Sequence, residues 1–89
     1  MRIDMNMPIL GLDGEELTNS NIGKLVAQML VNTPKGDVLK YFGWAQALYA
    51  GNALELDQSD TETLKVFIRE HHDLTILVKA QALACFSDK

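Results

Sequence analysis

Apolar and polar side chains alternate at the start of the chain: Ile3, Met5, Met7 and Ile9 fall on one side, with Arg2, Asp4, Asn6 and Pro8 on the other. A period of two belongs to a half-buried strand. Pro8 has no amide to donate, so it marks the end of that strand or an edge position. Ile9, Leu10 and Leu12 then lead into Asp13-Gly14, a pair favoured where a chain reverses through positive φ. Glu15 to Leu17 would return beside Leu10 to Leu12, as a short hairpin or as part of a three-strand meander. The strand edge from Ile3 to Met7 would present unpaired amides and carbonyls to which a second copy could add.

The period changes after Thr18-Asn19-Ser20-Asn21, a cluster whose first three members can each cap a helix. Ile22, Leu25, Val26, Met29 and Leu30 follow at i, i+3, i+4, i+7 and i+8, which predicts a helix with one buried face. Pro34 and Gly36 end it. A second helix is predicted from Asp37 to Ala50, closed by Gly51-Asn52. It carries two apolar stripes side by side, Val38, Phe42, Ala45 and Tyr49, then Tyr41, Trp44 and Leu48, with only Lys40 and Gln46 clearly polar in its middle. Such a helix is either central in the fold or covered by another molecule. Ala53 to Leu56 reads as extended. Ser59-x-x-Glu62 has the form of a capping box for a third helix, with Leu64, Phe67, Ile68 and His71 on one face. Asp73 can cap a fourth, Thr75 to Phe86, whose few polar residues predict that it is buried.

These elements predict one α+β domain spanning residues 1–89, an N-terminal β-hairpin packed on three to four α-helices. Its expected core is Ile22, Leu25, Val26, Met29, Phe42, Leu64, Phe67, Ile68, Leu77 and Val78. Gly43, inside the second helix, costs about 1 kcal/mol relative to alanine, and close approach of another helix or of the hairpin would offset that. A chain of 89 residues buries a modest fraction of its surface. Its one cysteine, Cys85, has no partner for a disulfide and reads as a small buried hydrophobe.

Composition narrows the function classes. Eight Lys and Arg against twelve Asp and Glu give a net charge of −4, which repels a phosphate backbone and argues against nucleic acid as a partner. No stretch approaches the length of a membrane span and no signal peptide is evident, so the expected location is the cytoplasm.

The residues with chemical potential have structural explanations. Adjacent helical residues point about 100° apart, so His71 and His72 are poorly placed to share a metal, and imidazolium near a helix C-terminus is favoured by the dipole. Ser20 and Ser59 sit where capping explains them, and Ser87 lies in the tail. Asp57, Asp60 and Glu62 are close together, but helix N-termini attract acids. Asp57-x-Ser59-x-Thr61 lacks the glycine and the glutamate of a calcium loop. The glycines make no phosphate loop or dinucleotide fingerprint. The third and fourth helices could be taken for a DNA-binding helix-turn-helix, yet the fourth opens Thr75-Ile76-Leu77-Val78, without the Arg, Lys, Asn or Gln that reads bases. No enzyme, metal or cofactor is predicted. Tyr41, Trp44 and Leu48 stand out as large apolar residues that either fill the core or anchor an interface, with the core favoured in so small a domain. The candidate interaction residues are those three together with Ile3, Met5 and Met7 of the strand edge, the partner being a protein and a homodimer one form of it.

The run Ile3-Asp4-Met5-Asn6-Met7-Pro8-Ile9-Leu10-Gly11-Leu12-Asp13-Gly14, then Ile22-Gly23-Lys24-Leu25-Val26 and the later Leu54-Glu55-Leu56-Asp57, resembles small uncharacterised proteins encoded by tailed phages and prophages. The resemblance implies a hairpin followed by helices and an accessory role. That role is virion assembly at the tail or the head-tail joint, or alternatively inhibition of a host protein. It brings no catalytic residues.

Overall fold

The structure is a computed structural model that describes residues 1–86. Its elements run β1 (Arg2–Ile3), α1 (Ile22–Asn32), α2 (Val38–Tyr49), β2 (Leu54–Glu55), α3 (Gln58–Glu70) and α4 (Ile76–Ala84). The architecture is broadly α+β, four helices with a very small antiparallel pair.

The first strand finds its partner outside the short hairpin. β1 pairs with β2, Arg2 opposite Glu55 and Ile3 opposite Leu54, across some fifty residues of chain. The alternation is real on its first turns, since Ile3 and Met5 have no exposed surface and Ile9 is buried. It fails at Met7, whose amide donates back to the Met5 carbonyl at 2.9 Å and turns the chain. The carbonyls of Met5 and Met7 accept the amides of Gly23 and Ile22, at 2.8 and 2.9 Å. Those amides open α1 and have no partner within it. The predicted edge from Ile3 to Met7 is therefore not an open strand edge, because its regular pairing ends at Ile3 and its later carbonyls close the start of a helix. The reversal at Asp13-Gly14 does form, with Gly14 at φ 85 and a single antiparallel bridge between Leu10 and Glu16, but no meander builds on it. Gln81 of α4 holds it in place: its side-chain oxygen accepts the Leu10 amide at 2.8 Å and its nitrogen donates to the Leu10 carbonyl at 2.6 Å.

Each helix starts at a side-chain cap, though mostly not the residue expected. Asn21, rather than Thr18, Asn19 or Ser20, accepts the Lys24 amide at 3.0 Å. Ser20 is engaged elsewhere, accepting the Ile9 amide at 3.0 Å and donating to the Leu17 carbonyl at 2.7 Å. Asp37 caps α2 through the Lys40 amide. Asp57 caps α3 through the Asp60 amide at 2.7 Å, so the Ser59-Glu62 box is not used; Ser59 already lies inside the helix. Thr75 rather than Asp73 caps α4, weakly, at 3.4 Å from the Val78 amide. At the end of α2 Gly51 takes φ 86, with its amide on the Leu48 carbonyl and that of Asn52 on the Ala47 carbonyl. This is the paired closure that a left-handed residue allows.

The buried residues form one cluster to which every element contributes. α1 and α2 pack as an antiparallel pair. Gly23 lets them approach, since a methyl group there would stand 3.1 Å from the Met5 carbonyl and 3.3 Å from that of Leu48. The close approach expected at Gly43 is absent, for nothing lies within 4 Å of where its side chain would be. Of the expected core, Ile22, Val26, Leu64, Ile68 and Val78 are buried, and Leu25, Met29, Phe67 and Leu77 pack against them half-covered. Phe42 is the exception, 54% exposed. α2 has room in the core for only one of its two stripes. The elements that meet it cover Trp44 and Leu48, with Ala45 beside them, and leave Val38, Phe42 and Tyr49 outside. α4 is less covered than its composition suggested: Val78 and Ala82 are buried but Ile76 is 85% exposed.

Candidate functional site

Asp57, Asp60, His71 and Cys85 are engaged in ending or linking elements. A broad hollow of about 910 Å³ lies between the α1–α2 loop and the end of α3, lined by Tyr41, Glu62, Glu70, His71, His72 and Asp73 among others. His71 sits at the end of α3, where its Nδ1 accepts the Asp73 amide at 3.1 Å and its ring packs edge-on to Phe67 with centroids 5.0 Å apart. Asp57 is a cap. Asp60 binds the Lys40 ammonium at 2.8 Å, joining α3 to α2, and Glu62 lies 3.5 Å from Lys65. The bond to Asp60, and then its negative charge, raise the Lys40 pKa above 10.5. Cys85 donates to the Gln81 carbonyl at 3.4 Å, and burial raises its thiol above the usual 9.0, with Asp4 adding to the effect. No trio of His, Cys, Asp or Glu is placed to hold a metal among the described residues. Ser87 lies outside them.

The six candidate interaction residues divide. Ile3 and Met5 have no surface left to offer, and Leu48 and Trp44 are buried as well, so these four serve the core. Tyr41 is half-buried and stacks on Trp44 at 5.6 Å while meeting Phe67 edge-on at 5.5 Å, tying α2 to α3. Met7 alone is substantially exposed, at 40%.

A different surface emerges on the outward side of α2. Val38, Leu39, Phe42, Gly43, Gln46 and Tyr49 are all exposed, Leu39 by 84%, and no charged side chain lies among them. The one ion-forming residue of the helix, Lys40, is turned aside to Asp60. Val31 of α1 extends the patch, and a shallow groove between the two helices runs along Ala27, Val31, Phe42, Ala45 and Tyr49. A solvent-facing helix side normally carries charge, and large contiguous apolar patches on small proteins mark contact sites.

Family models, curated proteins and solved structures yield no match to this chain. The signal of the patch was present in the sequence as the double stripe on α2, since a helix buries one side and the surplus must face outward. Nothing in the spacing said which stripe would be left. Leu39 drew no notice because it belongs to neither.

Proposed function

We propose that this chain is a non-enzymatic module that acts by binding protein through the outward face of α2. The observation that carries the reading is the charge-free, apolar exterior of a helix whose other side already fills the core. Each exposed aliphatic or aromatic side chain there gains roughly 1.5–3 kcal/mol on full burial, and aromatic residues such as Phe42 and Tyr49 are the types that anchor interfaces. Against catalysis stands the engagement of His71, Asp57, Asp60 and Cys85 in caps, an ion pair and the edge of the core. Against DNA stand the net charge of −4 and an α4 whose first three residues, Ile76, Leu77 and Val78, are all apolar. The resemblance to tailed-phage and prophage proteins supplies the context: an accessory role in virion assembly, carried out in the host cytoplasm. No helix is long and apolar enough to cross a membrane among the described residues.

The test is a photo-crosslinking residue placed at Phe42 in the producing cell. A protein adduct is expected there, and none from the same residue placed at Glu62 on α3. Failure of the Phe42 position to capture any protein, this one included, would sink the proposal.

A further inference from the structure

We propose that the occupant of this face is a second copy of the chain, with the two α2 helices packed antiparallel about a twofold axis lying between Phe42 and Gly43. The inference rests on the binding reading above and names its partner.

Self-pairing is supported by four features of the face. First, it bears no charge, so meeting itself buries no like charges, whereas a twofold contact through a charged patch would. Second, the spacing is self-complementary. Leu39, Phe42, Gly43 and Gln46 fall at i, i+3, i+4 and i+7, the seam along which two helices mesh. An axis between Phe42 and Gly43 sets the Phe42 ring of each copy over Gly43 of the other, and Leu39 against Gln46. Gly43 has open space where its side chain would be and no contact inside the monomer that explains it; a facing aromatic ring would.

Third, the ends match electrostatically. The same axis brings Asp37, at the start of α2, alongside the last turn of α2 in the second copy. There the Lys24 ammonium lies 5.4 Å from the Tyr49 ring centroid, and it forms no ion pair among the described residues. Two Asp37–Lys24 approaches follow by symmetry. Fourth, the area is of the right order: Val31, Val38, Leu39, Phe42 and Tyr49 are 52–84% exposed, on the order of 600 Å² per copy, and their full coverage in a dimer would reach about 1,200 Å², the lower bound for a specific interface.

Sedimentation equilibrium of the full chain over a concentration series tests this. The wild type is expected to pass from 9.9 kDa to twice that mass. Leu39→Glu, at a position 84% exposed in the monomer, should weaken association by roughly 100-fold by burying an unpaired carboxylate against Gln46 of the second copy, with unchanged helicity by circular dichroism. Ile76→Glu, equally exposed on α4, should leave association intact. A wild type that stays at 9.9 kDa throughout overturns the inference, as does a dimer that survives Leu39→Glu. If the wild type is monomeric yet the Phe42 crosslinker captures a different protein, self-pairing is wrong and the binding function stands. Absence of both dimer and adduct removes both.

Discussion

Two helical glycines, Gly23 in the first turn of α1 and Gly43 in the middle of α2, should respond oppositely to the same methyl group. At Gly43 the added carbon meets nothing, and the helix gains intrinsic propensity, so Gly43→Ala should raise the stability of dilute protein by roughly 0.5–1 kcal/mol in urea unfolding. At Gly23 the carbon meets two backbone carbonyls at 3.1 and 3.3 Å, which cannot swing away as a side chain tip can. Gly23→Ala should lower the unfolding midpoint, and equal responses at the two positions would refute the packing described for α1. Cys85 gives the pH counterpart. Burial keeps its thiol protonated above the usual 9.0, so the folded state holds that proton more tightly than the unfolded one. Its contribution to stability is complete below about pH 9 and declines as the unfolded thiol ionises above it. Cys85→Ala should flatten that part of the alkaline stability profile, and in the wild type a thiol reagent should react more slowly than with free cysteine at neutral pH. Reaction at the free-cysteine rate would contradict the burial.

Among the elements, caps distinguish what local pattern can reveal from what it cannot. Ser59-x-x-Glu62 and Asp57 both offer a start for α3, and sequence alone ranks the box highly because two amides are satisfied at once. The structure begins the helix at Gln58, since Leu56 must reach back to pair with Met1, its amide donating to the Met1 carbonyl at 2.9 Å, which leaves Asp57 at the corner. Asp57→Ala should therefore cost about 1 kcal/mol, whereas Ser59→Ala should cost almost nothing. The reverse order in thermal melts would restore the capping box. Helix existence and approximate extent were legible throughout, because the 3.6-residue recurrence of Ile22, Val26 and Leu30, or of Leu64 and Ile68, is a local property. The short reversal at Asp13-Gly14 forms as expected, with Leu10 bridged to Glu16, but the partner of the Arg2–Ile3 strand was not legible, for the complementary reason. A strand signal states that one side is buried, and says nothing about which distant segment supplies the hydrogen bonds.

For the whole molecule, the decisive residue is Trp44. It is buried against Tyr41 and the neighbouring helices, so Trp44→Ala should cost about 3–5 kcal/mol, a large share of the roughly 5–15 kcal/mol that holds a small domain folded. Chemical denaturation at low protein concentration measures this directly. A nearly unchanged midpoint would return Trp44 to the surface. The exposed face of the same helix behaves differently: loss of Leu39 or Phe42 should register in association far more than in the folding of the monomer. Core and contact surface are thus two sides of one helix. That division places the candidate site a quarter-turn or more away from Trp44 and Leu48, on residues that sequence reasoning had assigned to the interior or passed over.

What the chain determined by itself is the set of local choices: where 3.6-residue and two-residue periods run, where Gly14 and Gly51 permit a left-handed backbone, and that α2 carries more apolar surface than one core can take. Those follow from residue chemistry within a few positions and need no knowledge of distant contacts. Only the tertiary structure decided that β1 pairs with β2, that Gly23 rather than Gly43 is the point of close approach, and that the Phe42 stripe faces outward. Each of these depends on the direction from which remote segments arrive, and that direction is selected by the collective burial of the core.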